Sequence, residues 1–350
     1  MTARTRLAFL DVFRGVALIV MVLNHTSRWW IDRQMGWSRY WLVYGTVTVA
    51  APIFLFLVGF VLPISLHRNA ELTRPAPVRG YVRRGLAIIL AGYLLNLVVF
   101  PEESLLSGGV LQTIGLSIIV MTLLAPLLRH RAGAYVLLAL AAGAYGLFLY
   151  AHPHLRAWLP DHRLVGLVLF FDYAPWPWMC IVLVGLVLGW WWREAAARGP
   201  DAGYFVRLAA VGGVLMLAAV LAEWRWPSTP RIGFTRDLGL NQHWIPGPIT
   251  AVWILGTVLV LLAFFYWLCE IRGWRPGWLI MLGQTALMLY FLHQIIAYSL
   301  VNKWLHVNFK SWSLFWLANL GLVVACIALG HAWLAIRSRL RRPAVAAAPS

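Results

Sequence analysis

Apolar runs of about 18 to 25 residues, each long enough to cross a hydrocarbon core, recur at roughly 8–28, 42–66, 84–100, 109–128, 133–151, 176–192, 204–222, 248–271, 278–302 and 313–336. A chain built this way has few choices of fold. Only helices and closed barrels satisfy their backbone polar groups in lipid, and runs of this length are helical rather than strand-like. The sequence therefore predicts an all-α, polytopic membrane bundle of about ten spans. Hydrophobic residues make up 61% of the 350 and charged residues 12%, which excludes an ordinary water-soluble domain.

The net charge of +17 could point to nucleic acid, but no basic run is interleaved with the aromatic motifs that such binding uses. The charge follows topology instead. With the N-terminus in the cytoplasm, about 18 Lys and Arg fall in cytoplasmic segments and about ten on the opposite side, which predicts N-in and C-in by the positive-inside rule. A single membrane domain is expected over 1–338, with a disordered cytoplasmic tail at 339–350, where "RRPAVAAAPS" is too small and polar to pack. The longest external segments are expected at about 152–175 and 223–247. Cys180, Cys269 and Cys326 all fall in spans without metal-ligand spacing and read as structural thiols. Many of the 21 Trp lie near span ends, as in an interfacial aromatic belt.

The first span, "FLDVFRGVALIVMVLNH", carries Asp11, Arg14 and His25. Ionisable groups inside a membrane are costly and mark function by default. Eleven residues of helix amount to about three turns, so Arg14 and His25 share a face, about 16 Å apart along the axis. Asp11 stands one turn before Arg14, where a carboxylate can orient a guanidinium. The first span is thus read as two-ended, with a charge pair near the cytoplasmic mouth and a histidine in the opposite half.

A second histidine, His293 in "LGQTALMLYFLHQIIAY", lies about fifteen residues into a span that also starts inside, and so at the depth of His25. Two histidines alone make a poor metal site, and no metal is expected. Proton transfer suits imidazole better. Asp172, in "FFDYAPWPWMCIVLVGLVLGW", precedes the sixth span on the same side. It can fix a histidine tautomer or cap its helix. Asn24, Gln284 and Gln294 are neutral donors available to a developing oxyanion. Arg74, Arg79, Arg83 and Arg84 precede the third span, where guanidinium forks suit phosphate oxygens. The positive-inside bias alone also accounts for such a cluster.

Arg14, ten intervening residues and His25 resemble the first-helix motif of the acyltransferase-three membrane sugar O-acyltransferases. The wider set "RLAFLDVFRGVALIVMVLNH", "VAAPIFLFLVGF", "VLQTIGLSIIV", "FDYAPWPWMCIVLVGLVLG" and "LGQTALMLYFLHQ" looks more like bacterial relatives of heparan-alpha-glucosaminide N-acetyltransferase. The resemblance implies an integral membrane acyltransferase, expected in the bacterial inner membrane. It would move an acyl group, expected to be acetyl, from cytoplasmic acyl-CoA to a hydroxyl or amine of a carbohydrate-type acceptor on the periplasmic side. It implies His25 as the catalytic histidine, Arg14 in the cofactor-side constellation and Asp11 as its acidic partner. Our own reading of the residues adds Asn24, Asp172 and His293 to the outer catalytic site, and Arg83, Arg84 and Gln112 to the cofactor side. Acetyl-CoA or another acyl-CoA is the implied donor; the bilayer and the acceptor are the other partners, and homo-oligomerisation stays open. Two rivals remain: a proton-coupled transporter or flippase, in which the same residues form a proton path, and a scaffold whose polar residues serve packing.

Overall fold

The computed structural model describes residues 7–35, 42, 50–72, 78–199, 201–226 and 247–340. Its helices are α1 (Ala8–Trp29), α2 (Ala50–Leu72), α3 (Val78–Val99), α4 (Val110–Leu124), α5 (Arg131–Trp158), α6 (Arg163–Phe170), α7 (Pro175–Ala196), α8 (Ala202–Arg225), α9 (Pro248–Tyr266), α10 (Gly277–Gln294) and α11 (Trp312–Leu340). Two π-helical stretches, Trp267–Ile271 and Ile295–Trp304, lie on either side of α10. Among the described residues the only β-type pairing is an isolated bridge between Ile31 and Phe309, and ten helices are long and apolar enough to cross a membrane. The protein is an all-helical integral membrane protein.

Helix starts depart from the hydropathy runs where polar residues continue a helix. The third span begins at Val78 rather than near residue 84, so Arg79, Arg83 and Arg84 lie within the first two turns of α3. Arginine is a good helix former, and hydropathy alone hides that continuation. The segment expected to connect spans over 152–175 is largely helical: α5 runs through Pro153 to Trp158, and α6 follows. Residues 339 and 340 close α11 rather than opening a tail. Arg74, residues 227–246 of the second long segment and residues 341–350 lie outside the described residues.

The contacts divide the chain into two compact units. One holds α1, α10 and α11; the other holds α2 to α9. In lipid, helices gain little from hiding apolar side chains from one another, so close backbone approach at small residues drives their packing. Glycine supplies that approach at several of the crossings. In the second unit a β-carbon on Gly59 of α2 would lie 2.0 Å from the Val182 carbonyl of α7, and one on Gly189 would lie 2.0 Å from that of Phe60. Gly85 and Gly115 meet reciprocally between α3 and α4, as do Gly212 and Gly256 between α8 and α9.

In the first unit, α1 and α10 cross in the same way. A β-carbon on Gly15 would stand 2.3 Å from the Leu279 carbonyl, and one on Gly283 would stand 1.9 Å from the Asp11 carbonyl. Asp11 pairs with the Gln284 end of α10 and His25 with the His293 end, so the two helices run parallel. That agrees with both being odd-numbered spans. α11 runs antiparallel to them: Thr26 donates to Asn319 Oδ1 at 2.6 Å, while Gly330 abuts Met281 and Thr285.

Replacing Gly283 with Leu forces α1 and α10 apart, with an expected loss of about 3 kcal/mol or more. Gly143→Ala, where a β-carbon meets nothing within 4 Å, should leave stability unchanged or slightly raised. Thermal unfolding of both variants in the same detergent checks the contrast; equal melting temperatures would refute it.

Candidate active site

The Ala8 end of α1 is anchored by a residue far away in sequence. The first backbone N–H groups of a helix have no intrahelical partner, and Leu7 at the N-cap provides no side-chain hydrogen bond. Glu270 fills the gap: its Oε1 accepts from the Phe9 N–H at 3.3 Å, while its other oxygen is ion-paired with Arg275. One turn on, Asp11 is 4% exposed and accepts from Arg14 Nη1 at 3.1 Å. Gln284 Nε2 reaches the second Asp11 oxygen at 3.4 Å. A carboxylate in the first turn also faces the positive end of the helix dipole. The spacing expected between Asp11 and Arg14 is thus realised as a side-chain pair.

The Trp29 end of α1 carries the other constellation. His25 Nδ1 and His293 Nε2 are 2.8 Å apart, and the rings are parallel to within 7° with centres 5.1 Å apart. The N···N distance plus one ring radius at each end accounts for the whole of that separation, so the rings meet edge to edge rather than face to face. Each imidazole therefore presents its in-plane lone pair or N–H to the other, the favoured hydrogen-bond direction. His293 is fully buried, and its Nδ1 is 2.8 Å from the Leu289 carbonyl. Trp29 stacks on His25 with ring centres 5.0 Å apart, and Tyr290 meets both imidazoles in T-shaped contacts. Beyond Trp29 lies Tyr298, with Lys303 Nζ 5.1 Å from its ring centre.

The depth assigned to the two histidines from spacing alone is therefore matched by direct contact. Asn24 is buried beside His25, and its carbonyl accepts from Ser27. Gln284 sits with Asp11, at the far end from the histidines. Gln294, next in chain to His293, is buried, and its Nε2 has no hydrogen-bond partner among the described residues. Among the described residues, no group of three or more His, Cys, Asp or Glu is arranged to hold a metal ion.

The remaining candidates belong to the second unit. Arg79, Arg83 and Arg84 are exposed on α3, with Arg79 and Arg83 one turn apart and the donor chemistry that phosphate oxygens require. Gln112 is buried; its Oε1 accepts from the Gly109 N–H at 3.1 Å and its Nε2 donates to the Ser107 carbonyl at 3.2 Å. It closes the turn leading into α4, and Asn96 holds the same turn through the Leu105 and Ser107 carbonyls. Asp172 lies in the link before α7, where its backbone N–H donates to the Gly108 carbonyl at 3.1 Å. The N-cap position of α7 is Ala174, which provides no side-chain cap.

Trp29, Tyr290 and Tyr298 were hidden by an aromatic composition that the membrane interface explains without them. Their signal is local: Trp29 follows His25 by four residues and Tyr290 precedes His293 by three, both same-face spacings. Glu270 has no such signal, because its partner is 261 positions away.

Residues 6–220 match the catalytic family described as heparan-alpha-glucosaminide N-acetyltransferase. The chain belongs to this family. The match covers α1 through most of α8, and so takes in Asp11, Arg14, Asn24, His25, Arg83, Arg84, Gln112 and Asp172; His293 lies beyond it. A comparison with curated proteins finds no match. Membership makes the protein a membrane acetyltransferase of this type, as its motifs implied.

Asp11 is the more buried member of its pair, with 6% of its side chain exposed against 27% for Arg14. Arg14→Gln removes the cation from a buried carboxylate and should cost about 1–3 kcal/mol, below the range for fully buried pairs because Arg14 is partly exposed. Asp11→Asn should cost less, since the long arginine stem can carry its charge toward the helix end. A double-mutant cycle by thermal unfolding should show coupling of at least 0.5 kcal/mol; strict additivity would refute the pairing.

Proposed function

We propose that the protein transfers an acetyl group from acetyl-CoA, bound from the cytoplasm, to a hydroxyl or amine of a carbohydrate-type acceptor on the periplasmic side of a bacterial inner membrane. The observation that carries this reading is the two-ended α1–α10 pair, with Asp11, Arg14 and Gln284 at one end and His25 against His293 at the other. A transferase whose donor and acceptor approach from opposite faces needs a binding group and a base at different depths of one bundle. The excess of Lys and Arg in alternate connections supports N-in and C-in, which puts the charge pair on the donor side and the histidines on the acceptor side.

His25 is the general base in this reading. Its ring takes the acceptor's proton as the nucleophile attacks the thioester carbonyl, giving a direct transfer in a ternary complex. Arg83 and Arg84 are the donors offered to the phosphates, a role that exposed guanidinium forks on one helix end suit. Arg14, oriented by Asp11, is the cationic group at the donor end of α1. Gln112 serves by shaping the α3–α4 turn, since both ends of its amide bond the backbone there. Asn24, beside His25, is the amide donor for the developing oxyanion, and Asp172 is a further acidic candidate.

The test is calorimetric titration of the purified protein with acetyl-CoA, alongside transfer of labelled acetyl to a panel of amino sugars. Wild type and His25→Ala should both bind saturably, with Arg14→Ala and the Arg83→Ala/Arg84→Ala double variant weakened at least tenfold. His25→Ala should lose transfer by about 10²-fold or more. Folded protein that binds no acyl-CoA would overturn the reading in favour of proton-coupled transport.

A further inference from the structure

Hydrogen-bond direction along the His25–His293 chain can be followed from its fixed end. The Leu289 carbonyl only accepts, so His293 Nδ1 carries the proton of their 2.8 Å contact. His293 is fully buried, between a carbonyl and another imidazole. Neither partner compensates a charge, and burying an uncompensated charge costs more than a hydrogen bond returns, so the neutral ring is the form that fits. A neutral imidazole carries one ring proton. His293 Nε2 is then a bare acceptor, and the 2.8 Å contact requires His25 Nδ1 to donate. In neutral His25 this leaves Nε2 as the unprotonated nitrogen. The edge-to-edge meeting of the rings points the donor directly at the acceptor's lone pair, and Trp29 against one face of His25 restricts rotation of its ring.

We propose that His293 is a positioning residue that fixes His25 as its Nδ1–H tautomer, making His25 Nε2 the atom that accepts the nucleophile's proton. This rests on the reading of His25 as general base. A carboxylate usually takes this place behind a catalytic imidazole; here a second neutral imidazole takes it, itself oriented by a main-chain carbonyl of its own helix. In the transfer step His25 Nε2 takes the proton from the acceptor O–H or N–H as that heteroatom bonds to the acetyl carbonyl carbon. The carbon–sulfur bond then breaks with its electron pair on sulfur. His25 returns the same proton from Nε2 to that sulfur, so His25 ends neutral and the donor leaves as a free thiol. His25 Nδ1 keeps its own proton, and its bond to His293, throughout.

Solid-state 15N NMR of the full-length protein in liposomes, labelled at histidine, reads the tautomer without donor or acceptor present; His25→Gln identifies the signal. Wild type should show His25 protonated at Nδ1. His293→Leu removes the acceptor and should let His25 populate the Nε2–H form, with kcat for transfer reduced about 10²-fold and the affinity for acetyl-CoA unchanged. His293→Gln, whose side-chain carbonyl can accept the same bond, should restore the Nδ1–H tautomer and bring kcat to within about tenfold of wild type. A purely structural role for His293 predicts no such rescue that follows the tautomer. Wild-type His25 protonated at Nε2, or a tautomer indifferent to His293→Leu, would overturn this inference while leaving the acyltransferase reading standing. The expected tautomer in a protein that binds no acetyl-CoA would overturn both.

Discussion

Everything known of the site in the first unit depends on how closely α1 and α10 approach. Hydrogen atoms on Gly15 and Gly283 leave room for the main chain of the opposite helix where any β-carbon would overlap it. Lipid offers no hydrophobic pressure to hold helices together, so contact at this range is a condition of packing rather than its by-product. It also brings short polar side chains within reach. Gln284, next in sequence to Gly283, meets the carboxylate of Asp11, and further along the same parallel pair two imidazoles touch. A pair of helices held apart by leucines would leave both sets of groups facing lipid or each other across a gap.

The two ends differ in kind. One holds a carboxylate, a guanidinium and an amide whose donors and acceptors match. Such a group is suited to staying in place. The other holds aromatic and imidazole rings whose contacts are edges and faces, suited to a proton that arrives and departs. The separation along one helix gives each set its own surroundings: a carboxylate near the helix start, where the dipole favours it, and imidazoles among aromatic rings at the other end.

Much of the fold was legible because a bilayer imposes length on every span, and the helices at Ala8, Pro175, Pro248 and Gly277 begin within a residue or two of their apolar runs. Arginines at the start of α3 and histidines at the end of α5 defeated the same rule, since hydropathy sees polarity where the backbone simply carries on. Within the site, helical spacing placed Asp11 against Arg14 and set His25 and His293 at one depth. Spacing cannot say which way a helix faces. That two histidines 268 positions apart share a hydrogen bond, or that Glu270 closes the start of α1, is decided by the packing of α10 and its flanks. No local pattern carries that information.

The π-helical stretch from Ile295 to Trp304 has its own bearing on how the chain tolerates change. Each of its turns takes up about one more residue than an α turn. Within it, Ala297 offers its carbonyl to the Trp30 indole, and Asn302 bonds the Trp29 carbonyl. The segment holds surplus chain between the helix that carries His293 and the strap that returns through Phe309 to α11. Losing a single residue there would tighten the coil without touching any side chain of the histidine pair. The link from 305 to 311 is not helical, so α11 would keep its own face, and the loss would be felt instead at the bond between Asn302 and the Trp29 carbonyl.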